Sequence, residues 1–241
     1  MPSTDHIRLP FAESIAIFRA RLASLVPTAG WRDLLANAHD RAFAVAGAAK
    51  ADLLADLAEA VERAVVEGGT LAEFQAAFDE IVERHGWDFR GPRDWRARAI
   101  YNTNMNTQYA RGRLAQLESP ELRALKPFWM YQHNDAVTHP RPIHVSWDGI
   151  TLPPDHPWWR THWPPNGWGC QCYVVAVNER EARALGGRMD VEPDLDTEGV
   201  DEGWDHRPGD QAELVQNIRA RARSLPDPLR AGLNNDLENP Q

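Results

Sequence analysis

Two cysteines, Cys170 and Cys172, stand one residue apart at the end of a segment that also holds His133, His139, His144, His156 and His162. Thiolate and imidazole are the ligands that zinc prefers, and a closed zinc site takes four of them in a tetrahedron. Cys170 and Cys172 on one face of a strand would supply two corners, and His144 and His162 are the loop histidines expected to supply the others. Cys-x-Cys is a weaker metal signal than paired Cys-x-x-Cys knuckles. The same residues also fit two small buried thiols beside histidines that merely hydrogen-bond within a loop. A disulfide between residues so close on one strand face would be strained, so reduced thiols are expected.

Catalysis has less support. Either cysteine, with a histidine and Asp135, Asp148 or Asp155, has the parts of a thiol hydrolase, but no nucleophile motif surrounds them. There is no Gly-Lys-Ser/Thr phosphate loop and no paired-carboxylate motif of defined spacing, which disfavours an ATP-driven motor. A third set of polar residues lies between about 94 and 117, where helical periodicity predicts a long helix. Its middle carries Asn102, Thr103, Asn104, Asn106, Thr107 and Gln108 where a core helix would hold leucines, flanked by Arg93, Arg96, Arg98, Arg111 and Arg113. This pattern fits a solvated face with arginine stems laid along it. It also fits a contact face for an acidic partner or a nucleic-acid backbone. A formal net charge of -9 argues against bulk DNA binding and leaves room only for a local patch, with Arg90 added to the five.

The elements that must position these residues change character along the chain. Ile15, Phe18, Leu22 and Leu25 recur at helical spacing up to Pro27, and Trp31, Leu34, Leu35, Ala38 and Phe43 predict a second helix. Leu53, Leu54, Leu57, Val61 and Val65 predict a third, ending at Gly68-Gly69. Thr70 and Glu73 form a capping box for a fourth, which Gly86 closes after His85. Strands are expected at Pro127–His133, Ile150–Leu152 and Cys170–Val177, with a short helix around Ile143–Trp147 and another capped by Asn178 and Glu181. The expected fold class is α+β: a helical bundle region over 1–90, an α+β domain over 91–209, and a short helix at about 211–224 with a mobile tail in 210–241.

Between Asp135 and Gly169 the chain carries prolines 140, 142, 153, 154, 157, 164 and 165 together with Trp147, Trp158, Trp159, Trp163 and Trp168. Long irregular loops inside compact domains are either functional or disordered. Large rings that bury their area favour order, and prolines lower the entropy cost of fixing the loop, so a rigid loop stapled by aromatics onto a small sheet is expected. No apolar run reaches the roughly 20 residues of a membrane span. Met1–Pro10 has no hydrophobic signal core, so a soluble cytoplasmic protein is expected.

Taken together, Arg141-Pro-Ile-His144, Asp148-Gly149 and Pro164-Pro165-Asn166-Gly167-Trp168-Gly-Cys170-Gln-Cys172 resemble the signature of the phage Mu F-like family of head-morphogenesis proteins. An aromatic followed by Pro-Gly is present at Gly203-Trp204-Asp-His-Arg-Pro208-Gly209. Arg41-Ala-Phe43-Ala-Val-Ala-Gly47, Glu67-Gly68, His85-Gly-Trp87, Trp95-Arg-x-Arg98 and Thr103-Asn104 are similar as well, so the resemblance runs from about Pro10 to Gly209. The resemblance implies a minor head protein, not an enzyme, that acts in prohead assembly with the portal protein and other capsid or scaffold proteins. It would reside in the host cytoplasm during assembly and then in the virion head, with entry into the capsid and DNA contact as further implications and no membrane partner. The second function carried forward is a zinc-dependent hydrolase or effector delivered with phage DNA. One departure matters: the arginine usual between the two cysteines is Gln171, so no role of that arginine carries over.

Overall fold

The computed structural model describes residues 14, 15, 18, 19, 22, 25, 28, 43–137 and 139–208. The chain divides into two units, Met1–Pro208 and Gly209–Gln241, and every described residue belongs to the first. The helix expected near 211–224, the tail, Gly209 and the expected helical stretch from Trp31 to Ala38 lie outside the described residues. The fold class is α+β.

Residues 14, 15, 18, 19 and 22 are helical, in keeping with the spacing of Ile15, Phe18 and Leu22. Phe43 is not part of a second helix: it forms an isolated parallel bridge with Leu25 and is fully buried against Phe18. Helix α1 (Ala51–Glu67) ends where Gly68 takes a positive φ of 72°, a backbone shape costly for any residue with a Cβ. Helix α2 (Leu71–His85) begins at the Thr70–Glu73 capping box and ends at Gly86. Helix α3 (Arg93–Leu117) is the long helix. Leu53, Leu54, Leu57 and Val61 of α1, Phe74, Phe78 and Ile81 of α2, and Ala97 and Ile100 of α3 share one core with Phe18 and Phe43.

The polar middle of α3 is not a solvated face. Asn104, Thr107 and Gln108 are each at most 4% exposed. Gln108 donates to the Ser14 carbonyl while the Ser14 hydroxyl donates to that of Gln108, and Asn106 Nδ2 donates to the Cys170 carbonyl at 3.1 Å. Amides taken out of water need partners, and these find them on backbone carbonyls far away in the sequence. The middle of α3 therefore joins the amino-terminal helix to the cysteine segment. Farther along, Leu114 and Leu117 enter a second core.

A short helix, α4 (Pro120–Leu125), follows. The Ser119 cap and Pro120 at its first turn are legible start signals that the apolar pattern alone does not pick up. Strand β1 (Phe128–Gln132) is central in a three-stranded antiparallel sheet of order β2-β1-β3, where β2 is Thr151–Leu152 and β3 is Tyr173–Val177. Trp129 pairs with Leu152 on one side and Ala176 on the other, which fixes the register. Cys170 and Cys172 precede β3 and are not on it, so their side chains are placed by an irregular segment and not by the pleat. Helices α5 (Pro142–Ser146) and α6 (Trp159–His162) lie within the proline-rich loop, and α7 (Glu179–Ala184) follows β3 behind its Asn178–Glu181 capping box.

Aromatic rings hold the loop on the sheet. Trp158, Trp159 and Trp163 are each at most 1% exposed, and Trp129 of β1 meets the rings of Trp159 and Trp163 edge-on at 5.9 and 5.1 Å. Edge-to-face contact is the arrangement the ring quadrupoles favour. Trp168 is the exception, 42% exposed and meeting Trp204 at 5.2 Å. No described helix is long and apolar enough to cross a membrane.

Candidate functional site

Helix α5 presents His144 into the second core, where its ring stacks on Trp147 at 4.9 Å and 17°. The segment before β3 brings Cys170 and Cys172 to the same place. One ligand atom from each of the three residues lies within 4.8 Å of the others, and Cys172 Sγ is 3.9 Å from His144 Nδ1. All three side chains are buried. The other imidazole nitrogen, Nε2, is 2.9 Å from the Gly199 carbonyl oxygen. That approach requires glycine, because a Cβ at Gly199, whose φ is +88°, would meet Ile143 Cγ2 at 2.5 Å.

His162 does not join the cluster. Its ring stacks on Trp158 at 4.5 Å and meets the edge of Trp147 at 4.9 Å, while Nδ1 bonds the Thr161 hydroxyl. Burial lowers its pKa from the ordinary histidine value. The remaining loop histidines serve elsewhere: His133 faces Asp135, His156 faces Glu192, and His139 is exposed. Asp135 is taken by His133, Asp148 accepts the His133 backbone N–H, and Asp155 pairs with Arg123. None of these three aspartates orients His144, whose outer partner is a carbonyl.

The two thiols behave as a pair. Cys170 is driven below the ordinary thiol range, first by a hydrogen bond from Cys172, with burial opposing and His144 and the Asn166 backbone adding to the lowering. Cys172 is pushed up by the same hydrogen bond and by burial. One site thus yields its proton more readily than the other. Tyr131 is also raised, by burial first and then by the nearby sulfurs, and its hydroxyl donates to Asn166 Oδ1 at 2.9 Å. Two thiolates and an imidazole could hold a soft or borderline metal ion.

Around the cluster, Arg141 of the Arg-x-x-His element grips Asp201 through two bonds of 2.7 and 2.9 Å and donates to the Trp168 carbonyl at 3.0 Å. Asp201 in turn accepts the Trp168 N–H, and its own N–H donates to the Asn166 carbonyl at 2.9 Å. Pro164, Pro165, Asn166 and Gly167 are all buried there. A Cβ at Gly167 would run into the Asp201 carboxylate and Arg141 Nη1, so a larger residue there would displace that pair. The Arg141 guanidinium is raised further above its ordinary value by the Asp201 hydrogen bond. Gly203 turns the chain at a φ of 83°, which lets Trp204 bury itself and Pro208 follow it. No local sequence pattern marks Asp201 and Gly199 as partners of residues 60 and 55 positions away.

The flanking arginines of α3 divide between structure and surface. Arg96 donates to the Ala46 carbonyl and lies over the Trp87 ring, and Arg113 donates to the Val174 carbonyl. Arg93 pairs with Asp79 and Asp94 at the surface, Arg111 is half-buried, and Arg98 is exposed. A cleft of about 260 Å³ lined by Asn106, Tyr109, Asn134, Gln171, Cys172 and Tyr173 opens beside the cluster.

Residues 55–175, from α1 to the middle of β3, match the family model described as phage Mu protein F like protein. The chain is 35% identical over 221 residues to the putative capsid assembly protein F of Escherichia phage Mu, covering 84% of this chain and 48% of that protein. It is 35% identical over 173 residues to the Mu-like prophage FluMu F protein of Haemophilus influenzae, covering 66% of this chain and 40% of that protein. The chain thus spans about half the length, or less, of the curated relatives it matches. No solved structure matches it. With half of its length matched, the Arg141, His144, Cys170 and Cys172 motif residues included, the chain belongs to the phage Mu protein F-like family.

Proposed function

We propose that this chain is a phage minor head protein that acts in prohead assembly by binding the portal and neighbouring capsid or scaffold proteins, without catalytic turnover. The observation that carries the reading is the match of residues 55–175 to the family, joined to the name of the phage Mu relative as a putative capsid assembly protein. The site geometry is consistent with it. Arg141 of the motif, paired with Asp201, and the rings of Trp158, Trp159 and Trp163 brace a loop.

A contact face is offered by α3. Trp95, Arg98, Asn102 and Tyr109 follow one another at intervals of three, four and seven residues and so share a side of the helix. Trp95 is 58% and Tyr109 46% exposed. Exposed aromatics with an arginine are the residue types that anchor protein interfaces. Assembly takes place in the host cytoplasm, and the chain then stays with the head or enters it.

Co-expression of the tagged chain with the portal protein of the same genome tests the proposal. The portal is expected to be retained on the tagged chain. Failure to capture the portal at any salt concentration overturns the reading. DNA capture that falls steeply with added salt would instead favour a nucleic-acid role for the arginines of α3.

A further inference from the structure

We infer that His144 Nδ1, Cys170 Sγ and Cys172 Sγ are three ligands of a single zinc-type divalent cation, whose fourth position is taken by water from the cleft beside Cys172. The ligand atoms already sit within 4.8 Å of one another, with 3.9 Å between Cys172 Sγ and His144 Nδ1. Zinc–sulfur and zinc–nitrogen bonds of about 2.3 and 2.0 Å in a tetrahedron place such atoms about 3.5–3.8 Å apart. Only a small closing movement separates the two arrangements.

The outer contact of His144 is the second observation. A carbonyl oxygen only accepts, so the 2.9 Å contact with Gly199 puts the imidazole proton on Nε2. Nδ1 then carries the lone pair, 3.9 Å from Cys172 Sγ, in a group whose three ligand atoms lie within 4.8 Å of one another. Ligating histidines characteristically donate their outer N–H to a carbonyl or carboxylate in this manner, which fixes both tautomer and ring orientation. Trp147, stacked on the same ring, holds its plane.

Charge favours a divalent ion. Two thiolates cancel its charge, so the loaded centre buries no net charge, and the two thiol protons leave to solvent as the metal–sulfur bonds form. Among the described residues no further cysteine, histidine, aspartate or glutamate joins the group. His162 is held by Trp158 and Thr161 instead. Of the three ligands, Cys172 lines the cleft with Asn106, Asn134 and Gln171, whose amides can hydrogen-bond a water there. A three-ligand site with one exchangeable position follows.

The test uses the full chain, purified under reductant, stripped with a chelator and reloaded with zinc or with cobalt as a spectroscopic probe. One metal ion per chain is expected, with a melting temperature that falls on stripping and recovers with added zinc. Cobalt should give sulfur-to-metal charge-transfer absorption, and azide should change its visible bands by displacing the water. Cys170→Ser and Cys172→Ser should each lose the metal, while His162→Asn keeps it. If the cysteine variants fail to fold, the cobalt spectrum of the unmodified chain decides alone. A reduced chain that takes up neither metal and melts at the same temperature with and without zinc overturns the inference. So does an intact mass two hydrogens low that reveals a Cys170–Cys172 disulfide. A cobalt spectrum indifferent to azide overturns the open fourth position.

Discussion

Arg141 and Asp201 meet with about a third of each side chain exposed, 35% and 34%. Two parallel charge-assisted bonds at that depth are stronger than a surface ion pair but still screened by water. Arg141→Ala and Asp201→Ala are each expected to cost about 1.5–2 kcal/mol in urea unfolding, the lower part of the range for hydrogen bonds to charged groups. Their double variant should cost clearly less than the sum, because both remove the same contact; strict additivity would show that the pair does not hold the loop. Asp56 makes a prediction about pH. The His85 hydrogen bond, and after it Arg84, hold its carboxyl below the ordinary range against the opposing effect of burial. Its folded pKa is therefore below its unfolded one, near 3.9, so its contribution is complete above that value and disappears as the pH falls through the folded one. The stability difference between the native chain and Asp56→Asn should shrink on acidification. A difference as large below about pH 3 as at pH 7 would contradict this assignment. At this scale the sequence shows which side chains could do chemistry but not which of them meet. His144, Cys170 and Cys172 are brought together, whereas His162 packs on the ring of Trp158, a preference that residue type and spacing do not reveal.

The elements that are legible in the sequence are those whose signals are local. The Thr70–Glu73 and Asn178–Glu181 capping boxes and the closures at Gly68 and Gly86 depend on neighbours within four residues, and the structure has all of them. Thr70→Ala should destabilise α2 by about 1 kcal/mol, measured as a shift in the urea midpoint. The Thr70 backbone N–H, and then its hydroxyl, hold the Glu73 carboxyl low, so the box stabilises at neutral pH and is lost as the pH falls through the folded value. An unchanged midpoint would mean that the cap is not formed in solution. Elements governed by distant contacts read differently. Phe43 continues an apolar helical pattern, yet pairing with Leu25 and burial on Phe18 take it out of a helix. The polar run of α3 reads as a surface because amides usually are one, and only Ser14 and the Cys170 carbonyl, 94 and 64 positions away, explain why it is inside. The two cysteines continue the β-like pattern of β3 but precede it. Gly167→Ala should break the packing of the loop onto Arg141 and Asp201 and raise its susceptibility to proteolysis, and an unaltered cleavage rate would show that the loop has room to move.

For the molecule as a whole, two cores are joined along α3, which gives Ala97 and Ile100 to one and Leu114 and Leu117 to the other. Trp159, fully buried between Trp129, Trp158 and Trp163, is central to the second. Trp159→Ala is expected to cost about 3–5 kcal/mol, as large-to-small changes at well-packed sites do. The first core gathers around the chain's helical half and the second around its loop, so a rigid face on α3 spans both. That is a fitting arrangement for a protein whose proposed work is to be held by others. The most direct test is the protein content of proheads isolated from the phage that encodes this chain, measured by quantitative mass spectrometry. The account predicts the chain in those particles at a few copies beside the far more numerous major capsid protein, and particles lacking the portal should lack it too. Proheads that contain the portal but none of this chain at any stage of assembly would contradict it.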